Sequence, residues 1–216
     1  FFFVKGTFFM AKVLTVDAAC PDPTAIAEAA AVLKQGGLII VPTETVYGLA
    51  ADPTVPGASD RLYNAKGRDF NKPVAFLASS TDQVLASGAN FGRAGLALAK
   101  RYWPGSLTLV LQVQDGTFSG FRVPAHQVPV AVSTHFTGTL MLTSANRSGE
   151  ADPQSCFEAV AAIGDHVGVA LDSGPCEGGV PSTVVKVDGD SLTLLREGAV
   201  PFSEVKALHD ATLAEP

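Results

Sequence analysis

Charge of either sign is scarce in this 216-residue chain, and cysteine is scarcer still. Charged residues make up 17% of it, and 15 basic against 21 acidic side chains give a formal net charge of −6. A negative chain has no general attraction to nucleic acid or anionic lipid, so phosphate chemistry must depend on a local group of cations. Cys20, Cys156 and Cys176 are widely spaced without a C-x-x-C pair, which indicates reduced thiols rather than a disulfide framework or a zinc site.

Long apolar runs and several common functional motifs are also missing. No apolar run approaches the ~18 residues of a membrane span, so no membrane association is expected. There is no G-x-x-x-x-G-K-[ST], G-x-G-x-x-G, H-E-x-x-H or G-x-S-x-G, which excludes Walker ATPases, Rossmann enzymes, zincins and α/β-hydrolases. The four histidines show no metal-ligand spacing and are expected to be structural or on the surface, and no metal site is predicted.

Hydrophobic residues make up 47% of the chain, and 21 glycines and 14 prolines separate strand-like from helix-like segments. We therefore predict a single α+β (mixed α/β) domain, with a twisted sheet of parallel and antiparallel strands flanked by helices. Residues 13–216 are expected to form this domain. Residues 1–12 are expected to be a leader or a cloning-derived segment outside the core, with Met10 the natural start.

Capping residues and periodicity predict the individual elements. Helices are predicted over 58–66, 81–86 and 91–102, and after the Asp22-Pro23 and Asp152-Pro153 caps. The last of these should turn Phe157, Val160 and Ala161 inward and end at Gly164. Strands are predicted over 38–41, 73–78, 107–113, 121–123 and 140–142, and a hairpin over 183–195 with its turn at Asp188-Gly189.

A cluster of cations follows the predicted helix over 58–66. Lys66, Arg68 and Lys72 bring three positive charges within seven residues, and Gly67 lets the backbone approach a ligand closely. Arg offers a planar fork and Lys a mobile charge, so the cluster suits a polyphosphate and its leaving group. The alternative is a solvated helix end that uses the cations against its dipole.

Three polar loops adjoin predicted strands. The stretch 43–48 places two hydroxyls, the Glu44 carboxylate and a phenol in one turn, where they could bind the polar groups of an amino acid or simply cap the next element. The stretches 143–149 and 181–185 are also polar, and each alone indicates no more than a turn.

Seven segments in this order resemble the YrdC-like family of threonylcarbamoyl-AMP synthases, from about Ala25 to Val200. They are PTETVYGLAAD, KGRDFNKPV, YWPGSLTLVL, FRVPAH, LTSANRSGEADP, PSTVV and LLREGAV. The resemblance implies that ATP, L-threonine and bicarbonate give L-threonylcarbamoyl-AMP and pyrophosphate, with Mg²⁺ accompanying the nucleotide. The chain is similar to the short form of the family, which lacks an extra C-terminal domain.

The resemblance also implies the roles of individual residues. For threonine they are Thr45, Arg122, Ser144 and Ser182, with Thr43 and Tyr47 shaping the pocket. For ATP they are Lys66, Arg68, Lys72, Asn146 and Arg196, with Ser148 a weaker candidate. Lys66 and Arg68 would be the catalytic pair that stabilises charge on departing pyrophosphate. Leu77 and Pro181 depart from the family pattern, because many relatives carry His and Glu, respectively, at these positions. The resemblance therefore leaves the selectivity for threonine undetermined.

Partners and alternatives follow from the same resemblance. A cytoplasmic enzyme of this kind would pass its unstable product to a separate tRNA-modifying transferase complex and contact tRNA weakly. The main alternative is a non-catalytic member of the fold that binds RNA or uses nucleotide as a regulator, against which the net charge and the complete cation set argue. Another is carbamoyl transfer to a different acceptor, as in the related domains of much longer hydrogenase-maturation proteins.

Overall fold

The computed structural model describes residues 11–214, which form one ten-stranded sheet with helices packed against it. The strands are β1 (Lys12–Thr15), β2 (Ile39–Val41), β3 (Gly48–Ala51), β4 (Ala75–Leu77), β5 (Leu107–Gln112), β6 (Phe118–Arg122), β7 (Leu140–Ser144), β8 (Val169–Asp172), β9 (Thr183–Asp188) and β10 (Ser191–Arg196). The helices are α1 (Pro23–Lys34), α2 (Ala58–Lys66), α3 (Thr81–Ala86), α4 (Gly92–Tyr102), α5 (Gln127–Ser133), α6 (Cys156–Ile163) and α7 (Phe202–Ala214), with a short 3-10 helix at Gly164–His166.

The sheet combines both kinds of strand pairing. Its strand order is β1-β8-β2-β3-β7-β4-β6-β5-β9-β10. The pairs β1–β8, β2–β8, β4–β6 and β5–β9 are parallel, whereas β2–β3, β3–β7, β4–β7, β5–β6 and β9–β10 are antiparallel. The predicted mixed sheet and the β9–β10 hairpin are therefore confirmed.

Local signals explain the helices that were predicted correctly. The Asp22 carboxylate caps α1 by accepting from the N–H groups of Thr24 and Ala25, and Pro23 occupies the first helical position. Helix α2 spans the predicted 58–66 and ends at Gly67, whose φ of +57° is left-handed. Such a cap turns the chain sharply, so Lys66 and Arg68 leave the helix end in different directions.

Apolar side chains form three buried clusters. One includes Leu62 of α2 and Ile163 of α6, which pack on the first half of the sheet. A second includes Leu98 of α4 and Val205 of α7, beside β5 and β9. The third lies beneath α1 and α5 and contains Leu77. The central strands are fixed between these clusters, and the functional candidates lie at their ends.

Helix α6 differs from its prediction. Its N-cap is Ser155 and not Asp152, and Ser155 forms a capping box with Glu158. The helix therefore starts later and in another phase. Phe157 is 82% exposed instead of inward. The buried side chains are Cys156, Ala159 and Ile163, while Val160 is half-buried and Ala161 exposed.

The domain boundary and some elements also differ from expectation. Ala11 is buried, its N–H donates to Gly164 O at 3.1 Å, and Lys12 begins β1, so the fold starts before residue 13. Met10 and the rest of the Phe-rich stretch lie outside the described residues. Strand β6 starts three residues before its prediction, and β1, β3, β8, α5 and α7 were not predicted.

Candidate active site

A cleft of about 310 Å³ opens at the centre of the sheet. Gly48, Ala75 and Gly120 line the cleft, and their small size leaves space for a ligand above the sheet. Seven of the predicted site residues line this one space: Thr43, Thr45, Arg68, Arg122, Ser144, Ser182 and Arg196. Residues from three separate polar loops and the cation cluster are thus brought together.

One end of the cleft carries hydroxyls held in a tight turn. Thr43 Oγ1 accepts from the backbone N–H of Thr45 and of Val46, both at 3.1 Å, and donates to Val46 O at 2.7 Å. Thr45 Oγ1 lies 2.9 Å from Thr43 Oγ1. Thr43 therefore holds the turn, and Thr45 is the hydroxyl that this turn presents.

Arg122, at the end of β6, lies beside this turn and is almost fully buried. Its Nε donates to Gly105 O at 3.1 Å, and its Nη1 donates to Thr45 Oγ1 at 3.0 Å. Its Nη2 lies 2.7 Å from Glu44 Oε1. Burial alone would raise the pKa of Glu44, but the Arg122 guanidinium and nearby backbone N–H groups together outweigh this effect and lower it.

Lys66 differs from the other predicted cations because it is buried behind the cleft wall. Its Nζ donates to Ser144 O at 2.5 Å, to Asn146 O at 2.7 Å and to Asn146 Oδ1 at 2.9 Å. The pKa of Lys66 is lowered to about 8, first by burial and then by the Arg68 charge, while the Asp152 charge opposes both effects. Lys66 thus connects α2 to the loop after β7.

The rest of the cation cluster divides at the turn after Gly67. Arg68 lines the cleft, and its Nε and Nη2 donate to the carbonyl oxygens of Lys72 and Pro73 at 3.2 and 3.0 Å. Lys72 is exposed and lies outside the cleft lining. Within the described chain, Arg68 is therefore the member of the cluster that faces the cleft.

Ser144 and Asn146, after β7, form a connected polar group. Ser144 Oγ donates to Asn146 Oδ1 at 2.7 Å. Asn146 Nδ2 donates to Glu150 O at 2.7 Å and to Asp152 Oδ1 at 3.2 Å. Asn146 is buried, so it supports the wall rather than lining it. Ser148 is exposed and contributes its N–H to Lys66 O at 2.8 Å.

Arg196 lies at the end of β10, on the side of the cleft opposite Thr43. Its Nε and Nη2 donate to Ser182 O at 3.1 and 2.8 Å, and Ser182 Oγ lies 2.9 Å from Thr108 Oγ1. Burial lowers the pKa of Arg196, the Asp152 charge opposes this effect, and the Arg122 charge adds to it. The charges of Arg122, Asp152 and Arg196 therefore interact across one cleft.

Tyr47 does not line the cleft. Its side chain is fully buried on the far side of the turn, where its hydroxyl donates to Gly174 O at 2.6 Å and lies 3.2 Å from Asp172 Oδ1. Burial raises the pKa of this phenol. Its expected contribution to pocket shape is thus indirect, through the turn at 172–174, because its side chain faces the core.

Two further positions bear on the predicted selectivity. Leu77 is fully buried in the apolar cluster beneath α1 and α5, while Pro181 lines the cleft. Asp152 and Thr108 line the cleft as well, although no role was predicted for them. Asp152 was not predicted as a site residue because its position before Pro153 is typical of a helix cap. Thr108 was not predicted because a single polar side chain within strand β5 does not indicate a functional role.

In residues 11–214 no three His, Cys, Asp or Glu side chains lie close enough together to hold a metal ion. No helix within the described ranges is long and apolar enough to cross a bilayer. The cysteines in this part of the chain are free, with Cys20 exposed and Cys156 buried.

Known sequences resemble the chain over most of its length. Residues 31–198 match the family model for Sua5, YciO and YrdC proteins, described as "Telomere recombination". A putative threonylcarbamoyl-AMP synthase of Mycobacterium tuberculosis is 34% identical over 199 residues, which are 86% of this chain and 91% of the relative. The threonylcarbamoyl-AMP synthase of Pyrococcus abyssi is 32% identical over 187 residues, which are 82% of this chain and 55% of the relative.

Solved structures share the fold. The crystal structure of Pyrococcus abyssi Sua5 complexed with L-threonine superposes with a TM-score of 0.85 at 29% identity, over 91% of this chain and 60% of that chain. Escherichia coli YciO superposes with a TM-score of 0.78 at 20% identity, over 88% of this chain and 96% of that chain. The chain thus spans less than two thirds of the Pyrococcus protein and nearly all of YciO.

Proposed function

Since the chain belongs to the Sua5/YciO/YrdC family, we propose that it is an L-threonylcarbamoyladenylate synthase. The enzyme converts ATP, L-threonine and bicarbonate to L-threonylcarbamoyl-AMP and pyrophosphate, the first step toward threonylcarbamoyladenosine in tRNA. Relatives named threonylcarbamoyl-AMP synthase support this proposal at 30–34% identity. It is therefore an enzyme of the nucleotidyl-transferring class.

One observation carries the proposal at the level of the site. The Thr45–Arg122 pair and the cations Arg68 and Arg196 border the same cleft of about 310 Å³. A hydroxyl beside a guanidinium suits an amino acid, and two separate guanidinium groups suit phosphates. The reaction needs both anionic substrates side by side, which such a cleft can provide.

The residue roles follow the same division. We assign Thr45, Arg122, Ser144 and Ser182 to threonine, with Thr43 and Tyr47 as supports of that end. We assign Arg68, Arg196, Asn146, Lys66 and Lys72 to ATP. Lys66 would need to exchange one of its three protein acceptors for a phosphate oxygen to touch the nucleotide, and Lys72 would need the 67–73 loop to fold inward.

Catalysis by these residues consists of positioning and charge stabilisation. The neutral threonine amine forms a bond to the carbon of bicarbonate, whose hydroxyl leaves as water together with one proton from the amine. An oxygen of the resulting carbamate then attacks the α-phosphorus. As the bond to the bridging oxygen breaks, pyrophosphate leaves with the electron pair. Arg68 and Lys66 stabilise the charge that builds on it.

Mg²⁺ would accompany the ATP in this reaction and neutralise phosphate charge. The Asp152 carboxylate lies among the cations of the cleft and is the oxygen donor there that fits such an ion. No residue must act as a dedicated general base, because solvent or substrate can remove the amine proton.

The partners and location belong to the same proposal. The product is a reactive anhydride, so a separate transferase complex would receive it and modify tRNA, while contact of this chain with tRNA would be weak. ATP and tRNA are cytoplasmic, and we place the reaction in that compartment.

The decisive experiment measures product formation directly. Purified protein is incubated with ATP, Mg²⁺ and bicarbonate, with and without L-threonine, and pyrophosphate release is followed together with the mass of the adenylate. Release that requires both threonine and bicarbonate, with the threonylcarbamoyl-AMP mass, supports the proposal. ATP binding without turnover would favour the RNA-binding or regulatory alternative, and turnover with another acceptor would favour different carbamoyl chemistry.

A further inference from the structure

Glu44 stands apart from the hydroxyls on either side of it in the turn between β2 and β3. Thr43 and Thr45 line the cleft, whereas the Glu44 carboxylate lies behind it and meets Arg122, with Oε1 2.7 Å from Nη2. Ser106 Oγ donates to the same Oε1 at 3.2 Å. Arg122 thus contacts the cleft on one side and a carboxylate on the other.

The burial of this pair is unusual. The side chains of Arg122 and Glu44 are only 9% and 20% exposed. Glu44 Oε2 and Arg122 Nη2 are both buried without an aligned hydrogen-bond partner in the described structure, so charge proximity is the main interaction between them. Burying two charges with incomplete hydrogen bonding is costly, and such a pair rarely contributes net stability. A role at the adjoining cleft explains it better than a role in folding.

The distribution of charge in the cleft indicates what that role is. Arg68, Arg122 and Arg196 all line one small space, and the charges of Arg122 and Arg196 repel each other. A polyphosphate would be attracted to any unpaired guanidinium among them. Glu44 forms an ion pair with Arg122. Arg68 and Arg196 instead donate to neutral backbone carbonyls, and the Asp152 carboxylate acts on Arg196 through its charge without an ion-pair contact among the described residues. The pairing therefore divides the cleft into a neutralised end and a cationic end.

We propose that Glu44 is a specificity and positioning residue, which cancels the charge of Arg122 so that this end of the cleft accepts the single carboxylate of an amino acid and rejects polyphosphate. The same contact holds the guanidinium against Thr45. This inference rests on the proposed function, and it adds a reason why ATP does not occupy the amino-acid end of its own cleft.

The test uses Glu44→Gln, which keeps the size of the side chain but removes its charge. The affinity for L-threonine is measured by calorimetry with and without saturating inorganic tripolyphosphate. In the wild type we expect the two ligands to bind independently. In Glu44→Gln we expect tripolyphosphate to weaken threonine binding by about tenfold or more, because the unmasked guanidinium attracts it.

The matched control is Glu177→Gln, which removes one exposed carboxylate from the neighbouring loop and should behave as the wild type. Glu44→Ala, which also removes the contact that holds Arg122, should weaken threonine binding by about tenfold even without tripolyphosphate. A protein in which Glu44 only supports the fold would show lower thermal stability without any competition between the ligands.

Two outcomes overturn the inference. One is independent binding of threonine and tripolyphosphate in a folded Glu44→Gln variant. If that variant does not fold, the double variant Glu44→Gln/Arg122→Gln leaves no unpaired charge and should bind threonine weakly but remain insensitive to tripolyphosphate; competition in the double variant also overturns it. Failure of the wild type to bind threonine would instead contradict the proposed function, so the two failures are distinguishable.

Discussion

Lys66 is the residue whose setting departs most from ordinary surface chemistry. Its ammonium group is buried and ends on three protein oxygens, two of which belong to Asn146. A lysine in such a place serves two purposes, because it fixes the loop after β7 and supplies positive charge behind the wall of the cleft. Since burial lowers its pKa to about 8, this charge depends on pH within an accessible range.

The affinity for ATP should therefore fall as pH rises through about 8. Below that pH Lys66 is charged, and above it the amine becomes neutral, so attraction to phosphate is lost. We expect the Kd of a non-hydrolysable ATP analogue to rise by about five- to tenfold from about pH 7 to about pH 9.5. Calorimetry measures this without interference from the threonine amine. A Lys66→Met variant should lack the dependence, and the exposed control Lys100→Met should keep it; the same slope in Lys66→Met would contradict the assignment.

Arg68 is the member of the cation cluster that faces the cleft, and its substitution should act on catalysis rather than on folding. In Arg68→Ala we expect kcat/KM to fall by about 10²–10³ through lost stabilisation of departing pyrophosphate. Arg68 is only partly buried and contacts two carbonyls, so the melting temperature should change little. Pyrophosphate release and thermal unfolding measure the two effects. The exposed Arg101→Ala variant is the control, and wild-type rates in Arg68→Ala would remove this residue from the site.

At the scale of elements, the end of α2 determines where the cations point. Gly67 has a left-handed φ of +57°, and no atom lies within 4 Å of the position that a Cβ would take. Substitution there is therefore strained by the backbone alone and not by crowding. The same holds for Gly189 in the β9–β10 turn, with a φ of +58° and open space.

Gly67 and Gly189 have the same backbone conformation and the same open surroundings, but only Gly67 is close to the cations of the site. Gly67→Ala and Gly189→Ala should each lower the free energy of unfolding by about 1 kcal/mol, because both force alanine into the left-handed region. Only Gly67→Ala should also reduce turnover, since relief of its strain would move Arg68 relative to Lys66. Denaturant unfolding and pyrophosphate release test the pair. Equal turnover in both variants would show that the helix end does not set the position of Arg68.

Elements with strong local signals were predicted from the sequence, and those fixed by distant partners were not. The bounds of α2 and α3 and the β9–β10 hairpin depend on caps and turns within a few residues. Strand β8 and helix α7 have no such signals, because their existence depends on pairing with β1 and β2 and on packing against α4. The sequence before α6 contains two possible N-terminal caps, and the helix begins at the Ser155–Glu158 capping box rather than at the Asp152-Pro153 pair.

The residues of the site, like the secondary-structure elements, could be predicted only in part. The resemblance identified seven residues that the fold brings to one cleft, from segments far apart in the chain. It could not indicate that Tyr47 faces the core or that Lys66 is enclosed by protein oxygens, since side-chain direction depends on the register of β3 and β7. The pairing of Glu44 with Arg122 could not be predicted either. The two residues are 78 positions apart in the sequence, and only the strand order of the sheet brings them together.

At the scale of the whole molecule, charge limits what the protein can bind. The net charge is −6, and three arginines, Arg68, Arg122 and Arg196, converge on one cleft. Extended contact with an RNA backbone needs several accessible cations along one face. The molecule therefore suits a small anionic substrate better than a polyanion.

Binding of tRNA should accordingly be weak and sensitive to salt. We expect a Kd of about 10–100 µM at physiological ionic strength, which is the range of non-specific binding. Fluorescence anisotropy with labelled tRNA at several salt concentrations measures it, and an unrelated tRNA of equal length is the control. Submicromolar binding that persists at high salt would contradict this prediction and revive the RNA-binding alternative.

The cleft takes its residues from positions as far apart as Thr43 on one side and Arg196 on the other. No partial chain emerging during synthesis can carry it, because it exists only after β10 has joined the sheet. Binding is consequently linked to global folding, and a ligand at 100 times its Kd adds about 2.7 kcal/mol to the free energy of unfolding. In a cell, the supply of ATP and threonine would thus govern not only how fast the protein works but how long it survives proteolysis.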